Sequence, residues 1–442
     1  MGVLPGARVS LVLLLLINLF NYIDRQVLAA VEPLIAAELF PHVDGKPSDP
    51  NEELKMGLLA TAFLVSYMLT APLFGWLGDR WKRWALIGIG VLLWTVASGA
   101  SGLVKETEAL LMSVGIGSVS AFVVLLVTRM FVGVGEGAYG PIAPAVISDM
   151  YPVSRRGKVL AWFYVAIPVG SALGYVLGGL VGGHFGWRWA FYSVVPPGIA
   201  LAVWCFFRAD PPRGRSEGEG GVGASRQARW ADYLVLLRTP SYVLNVAGMT
   251  AMTFAIGGVS FWMPRYIAVF RKAGELSDVN LIFGAITVVA GLGATLAGGW
   301  AGDRLRTRLP GAYLLVSGTA MLVGFPLFLA VLVTPFPLCW VVIFLACFAL
   351  FFNTGPSNTA IANVAHPALR ATAYAVCILV IHALGDAISP PLIGKVNGLA
   401  GGNMNVGFGV VSGAFLMAGV FWLWGARHLG RDTAAAPTRL AD

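Results

Sequence analysis

The chain has 442 residues, 57% of them hydrophobic and only 12% charged, and its mean hydropathy is +0.77. Soluble domains carry about 25% charged residues, so this composition excludes a soluble protein and implies an integral membrane protein. The net charge of +8 is read below as membrane topology, not as a footprint for nucleic acid.

Twelve apolar runs reach the roughly 20 residues that a spanning helix needs. They are predicted at 9–37, 55–78, 84–104, 117–149, 157–181, 188–207, 241–268, 279–301, 311–333, 337–364, 371–395 and 404–427. Span 1 carries Asn18, Asn21, Asp24, Arg25 and Glu32. Asn18, Asn21 and Arg25 fall on one helical face, with Asp24 about a quarter-turn away. Glu32 is expected near the outer mouth. A charge at a helix centre costs about 2.5–3.5 kcal/mol on the insertion scale, so these groups are expected to face a cavity or one another.

Span 2 ends in Gly75-Trp76-Leu77-Gly78-Asp79-Arg80, followed by Lys82 and Arg83. Span 4 holds Arg129 and Glu136, seven residues apart on one face and about 10 Å apart along the axis. Gly133 and Gly140 share that face and are expected to leave open space. Arg25 lies roughly 24 Å along span 1 from Val9, and Glu136 roughly 21 Å from Met150 on the same membrane side. The two are therefore predicted to meet at one depth. Two readings stay open: an ion pair that fixes helix packing, or a proton site beside a substrate cavity. Gly135 to Gly140 also fits GxGxxG, but it follows no strand and lies inside a span, so it is not read as a dinucleotide site. The sequence contains no HExxH, GxSxG or P-loop pattern, and no enzyme, cofactor or metal is expected.

Span 5 repeats glycine at 170, 174, 178 and 182, and span 8 repeats small residues at Ala290, Ala294, Gly298 and Gly302. Small residues let helix backbones approach closely in lipid. The stripes fit either permanent packing or a sliding surface between halves. Residues 209–238 are basic and rich in Gly and Pro, and read as a flexible cytoplasmic linker. Domains are predicted at 1–208 and 239–428, six helices each, with a short cytoplasmic tail at 429–442.

Span 8 ends in Gly299-Trp300-Ala301-Gly302-Asp303-Arg304, repeating the end of span 2 after 224 positions. Gly140, Pro141, Pro152, Arg155 and Gly170 match Gly355, Pro356, Pro367, Arg370 and Gly385 at an offset of 215. An internal repeat of half the chain is the pattern of a two-bundle transporter. Span 10 offers Asn353, Asn358 and Asn363, and span 11 offers His382 and Asp386 at i,i+4. Twenty of the 30 Lys and Arg fall on the side of the N-terminus, eight on the other, and two (Arg25 and Arg129) within spans. The positive-inside rule then places both termini in the cytoplasm. Cys205, Cys339, Cys347 and Cys377 all fall in apolar spans, so no disulfide framework is expected. The first helix reads as an anchor that is retained.

The duplicated loop resembles the loop motif of the major facilitator superfamily at Gly75, Gly78, Asp79, Arg80 and Arg83, and more weakly at Gly302, Asp303 and Arg304. Span 5 is similar to its antiporter motif, with Tyr175 where proline usually follows Gly174. Asn21-Tyr-Ile-Asp-Arg-Gln, the stretch from Thr128 to Pro144, Asp149 to Arg156, Phe163 to Tyr175, and Phe254, Gly257, Trp262, Pro264 and Tyr266 resemble the spinster family. The resemblance implies an all-α fold of twelve transmembrane helices in two six-helix bundles that work by alternating access. It implies proton-linked movement of lysolipid-like or sphingolipid-like substrates, with sugars also proposed for the family. On that reading Glu136 and Asp24 carry the proton. Arg129, Arg25, Asn21, Tyr139, His382, Asn353 and Asn358 partner charge or substrate. Asp79 and Asp303 hold a gate against the N-termini of spans 11 and 5. The resemblance suits a monomer in a bacterial inner membrane, with the substrate, protons and the bilayer as partners. A carrier of small organic anions, sugars or drugs is the alternative within transport, and a non-transporting membrane sensor is the alternative outside it.

Overall fold

The computed structural model describes residues 6–43, 46–78, 80–115, 119–151, 153–211, 230–366 and 369–438. Twelve helices among them are long and apolar enough to cross a membrane. Spans 1 to 6 are Ala7–Leu39, Glu52–Gly78, Arg83–Ser101, Ala121–Ile147, Trp162–Phe185 and Trp187–Phe206. Spans 7 to 12 are Pro240–Phe270, Leu276–Arg306, Ala312–Val333, Leu338–Val364, Ala373–Leu399 and Met404–Ala435. The β structure among the described residues is one antiparallel pairing of His42–Val43 with Lys46–Pro47, between spans 1 and 2.

Most boundaries shift by a few residues from the sequence reading, and two of the shifts have a visible cause. Span 4 begins at Ala121, not 117, and a separate helix, Val104–Ser113, precedes it. Lys105, Glu106 and Glu108 make that helix too polar for hydrocarbon. Span 12 continues to Ala435, past the predicted end at 427, because Asp432 finds a buried partner described below.

The chain divides into two compact units: Met1–Gly221 with Phe261–Ala285, and Val222–Ser260 with Ile286–Asp442. The stretch that joins spans 7 and 8 therefore belongs to the first unit.

In the first unit the glycine face of span 5 lies directly on span 1. A Cβ at Gly170 would stand 2.6 Å from the Leu19 carbonyl oxygen, and one at Gly174 would stand 2.6 Å from that of Ile23. Gly178 and Gly182 would meet Ala30 and Val31 in the same way. In the second unit Gly302 faces the Tyr313 ring, and Ala290 and Ala294 are fully buried. Both stripes thus serve packing inside their own units. Each unit also caps a helix from a distance. Asp210 accepts the backbone N–H groups of Arg83 and Trp84 at 2.9 Å each, at the start of span 3. Asp432 accepts the backbone N–H of Ser241 at 3.0 Å and its hydroxyl at 2.7 Å, at the start of span 7. Such caps satisfy donors that the first helical turn leaves open.

Candidate functional site: a buried charge quartet

The site begins with glycines on span 4. A Cβ at Gly135 would stand 2.7 Å from the Gly90 carbonyl oxygen, so spans 3 and 4 meet backbone to backbone there. Gly133 meets Phe63 and Ser66 of span 2, and Gly140 meets the Tyr67 hydroxyl. The open space expected beside Gly133 and Gly140 is therefore filled by span 2. Span 4 is wedged between spans 2 and 3, and the face that carries Glu136 turns to span 1. The GxGxxG pattern is accounted for by this close packing.

Arg25 and Glu136 meet as the depth argument predicts. Arg25 donates through Nε to Glu136 Oε2 at 2.7 Å, and its Nη2 lies 2.6 Å from the same oxygen. Glu136 is 1% exposed, while the Arg25 side chain keeps 21% exposure. The Arg25 guanidinium is surrounded by the rings of Tyr22, Phe63 and Tyr67 at 4.8, 4.8 and 5.5 Å. Cation–π attraction of this kind strengthens as water is excluded. Asn21, one helical turn before Arg25, is buried as well.

The second pair is looser and deeper. Arg129 Nη2 stands 3.7 Å from Asp24 Oδ2, and each side chain is 2% exposed. Ser98 donates its hydroxyl to Asp24 Oδ1, and the Phe191 ring lies 5.3 Å from the Arg129 guanidinium. A cavity of about 10 Å³, bordered by Asp24, Thr95, Ser98 and Gly198, abuts this pair. It is about the size of one water. Asp24 Oδ2 and Arg129 Nε and Nη2 have no hydrogen-bond partner among the described residues. Two cations and two carboxylates thus balance in formal charge, but only the Arg25–Glu136 pair is closely hydrogen-bonded.

Other candidates fall elsewhere. Tyr139 is 3% exposed, donates its hydroxyl to the Leu14 carbonyl at 2.6 Å and packs edge-on against Trp94. It ties span 4 to span 1. Asn353 is fully buried in the second unit and donates to the Leu350 carbonyl at 2.6 Å. Asn358 donates to the Thr354 carbonyl at 2.8 Å. His382 Nδ1 lies 3.0 Å from both carboxylate oxygens of Asp386, within one widened helical turn. Both side chains are part-buried.

At the loop motif, Arg83 donates to the Gly78 carbonyl at 3.2 Å and pairs with Asp149. Arg80 donates to the Trp76 carbonyl at 3.2 Å and lies over its ring. Gly75 lies 3.8 Å from Pro141, measured from an ideal Cβ. Asp79 lies outside the described residues. Asp303 accepts the Tyr313 hydroxyl at 2.7 Å and stands 4.0 Å from Arg306. Arg304 accepts the Thr307 hydroxyl on its backbone carbonyl at 3.0 Å.

Two features escaped the sequence. Arg265, counted with the eight outer cations, is buried in span 7 and paired with Glu32 and Glu52. Glu32 is fully buried. The available signal was an arginine at the end of a long apolar run, with unpaired acids on spans 1 and 2. The second feature is a cleft of about 750 Å³ in the second unit. Spans 7, 11 and 12 line it with Val246, Phe254, Val380, Val410 and Met417, among other almost wholly apolar side chains.

The profile of the Major Facilitator Superfamily matches residues 14–390. Protein spinster homolog 3 of Danio rerio is 35% identical over 404 residues, covering 88% of this chain and 76% of that protein. Protein spinster homolog 1 of Homo sapiens is 35% identical over 416 residues, covering 90% and 74%. Among solved structures, a bacterial homolog to the human lysosomal transporter spinster, in an inward-facing and unoccupied conformation, matches with a TM-score of 0.78. It shares 21% identity and covers 99% of each chain. A D-xylose-proton symporter matches with a TM-score of 0.73 at 16% identity, covering 94% of this chain and 96% of the other. A profile spanning most of the chain, and relatives this similar over most of their own length, leave one assignment. The chain is an integral membrane secondary transporter, not an enzyme, and it belongs to the spinster family of the major facilitator superfamily.

Proposed function

We propose that the protein couples proton movement to transport of an amphipathic, lysolipid-like anion across a bacterial inner membrane, with both termini cytoplasmic. The observation that carries this reading is the contact between Arg25 and Glu136. A carboxylate buried in a span is costly unless compensated, and here its compensation comes from a cation on another helix that retains some exposure. An anionic head group arriving at the exposed edge of Arg25 competes with Glu136 for the same donors. Glu136, losing its partner, takes up a proton and becomes neutral. Release of the substrate returns Arg25 to Glu136, and the proton leaves. Arg129 is too deeply buried to meet substrate and serves to hold Asp24, the second candidate carrier. The apolar cleft in the second unit supports a substrate with a hydrocarbon part.

Flux of a lysophospholipid into proteoliposomes, with and without an imposed pH gradient, tests the proposal. The wild type is expected to accumulate substrate only with the gradient. Glu136→Gln, a mimic of the protonated state, is expected to bind and equilibrate substrate without accumulating it. Gradient-driven accumulation at the wild-type level in this variant would remove Glu136 from the mechanism. Accumulation of a sugar or small anion in place of the lysolipid would replace the substrate class.

A further inference from the structure

Span 1 holds one more buried acid, about 10 Å beyond Arg25 along the helix axis. Glu32 is 0% exposed. Arg265 Nη1 donates to Glu32 Oε1 at 2.7 Å, and Nη2 donates to Glu52 Oε1 at 2.5 Å. Glu53 Oε1 stands 4.0 Å from the same Nη2. The second oxygen of Glu32, Oε2, is buried and has no hydrogen-bond partner among the described residues. The charged groups that act here are Glu32 from span 1, Glu52 and Glu53 from span 2, and Arg265 from span 7. Lys55, one turn further along span 2, is committed to Asp49.

We propose that Glu32, Glu52 and Arg265 form a second proton-binding site, separate from Glu136. One guanidinium faces three carboxylates, which leaves an excess of negative charge when all are ionised. Removing an ion from water costs several kcal/mol unless it is paired, and carboxylates that share a site take and release protons as a unit. A proton on Glu32 offsets part of this excess and turns an acceptor-only oxygen into a donor.

The backbone favours opening of this cluster. Pro33 follows Glu32 directly, and Pro264 precedes Arg265, each inside its helix. Proline removes a rung of the helical hydrogen-bond ladder and is a usual place for a bend. Bending at these two points parts Arg265 from the acids and exposes the site for exchange with water. The site's existence does not depend on the transport reading above, but its use in coupling does.

Infrared difference spectra of the full chain in lipid nanodiscs, taken across a pH titration, test the proposal. The carboxylic-acid C=O band reports protonated side chains directly. In the Glu136→Gln background we expect an acid band at neutral pH that persists, and that diminishes when Glu32→Gln or Glu52→Gln is added. An acid band unchanged in both of the latter variants overturns the proposal. If those variants do not fold, Glu136→Gln protein carrying ¹³C-carboxyl glutamate decides. An isotope-shifted acid band that persists well above the ordinary glutamate range, about pH 4.3, supports the second site, and its absence there overturns it. Because this readout needs no substrate, failure here is distinct from failure of the flux experiment.

Discussion

The two units bury their polar groups in different ways. The first places Asp24, Arg25, Arg129 and Glu136 between spans 1 and 4, and adds Glu32, Glu52 and Arg265. The second buries mostly neutral amides, with Asp432 its buried acid at the start of span 7. Asn245 accepts the Trp422 indole N–H at 2.8 Å and donates to the Ser357 carbonyl at 2.9 Å, while Asn353 bonds its own helix. Packing differs in the same direction. At the repeat offset of 215, Gly174, Gly178 and Gly182 correspond to Ser389, Ile393 and Asn397. Span 5 presses its backbone on span 1 along four glycines; in the second unit spans 7 and 11 also meet closely at Gly257 and Gly385, but a cleft lies beside spans 7, 11 and 12. The lesson is a division of labour inside a duplicated fold. The tightly packed unit holds the buried charges. The looser unit offers apolar surface.

Breaking the charge half of this comparison has the largest expected effect. Arg129→Ala removes the cation beside Asp24 and leaves a buried carboxylate uncompensated, which costs about 3–5 kcal/mol. Asn353→Ala in the second unit loses a neutral bond worth about 1 kcal/mol. Unfolding free energies of the two variants in detergent should differ accordingly, and equal losses would show that charge is not what sets the units apart.

The packing half predicts a smaller contrast. Gly174→Val drives a side chain into the Ile23 carbonyl, an overpacking cost of about 1–3 kcal/mol. Gly413→Val points into space where no heavy atom lies within 4 Å of an ideal Cβ, and a change of about 0.5 kcal/mol or less is expected. Comparing monodisperse yield and thermal midpoint of the pair checks this. A well-folded Gly174→Val with an unstable Gly413→Val would reverse the comparison.

The smallest effect concerns the two distant caps. Asp210→Ala and Asp432→Ala should each cost about 0.5–2 kcal/mol, and the losses should be similar because each acid satisfies a pair of donors at one helix start. Hydrogen exchange at residues 83–86 and 241–244 would localise them. Faster exchange throughout a unit, and not only at the capped turn, would mean that the caps hold more than their own helices.

Much of this arrangement was legible before the fold was known. Twelve apolar runs gave twelve helices, because lipid leaves the backbone no other way to satisfy itself in a segment of that length. The Arg25–Glu136 contact followed from counting residues from one membrane side, since helical rise is constant. Arg265 was not legible, because an arginine near the end of a span usually snorkels to the interface. Only the convergence of three separate helices buries it. The cleft was equally hidden. Hydropathy reports that Val246, Val380 and Met417 avoid water, but not whether protein or something else covers them.

The cap on span 7 has a consequence for the order in which the protein is made. Asp210 follows Arg83 by 127 residues, at the end of the first six spans, so span 3 can be completed before any of span 7 exists. Ser241 must wait for Asp432, 191 residues later. Domains generally mature as they are synthesised, N-terminal parts first. For nearly the whole of its own translation, the second unit therefore holds span 7 with an unfinished first turn, and the late helix that supplies Asp432 completes it.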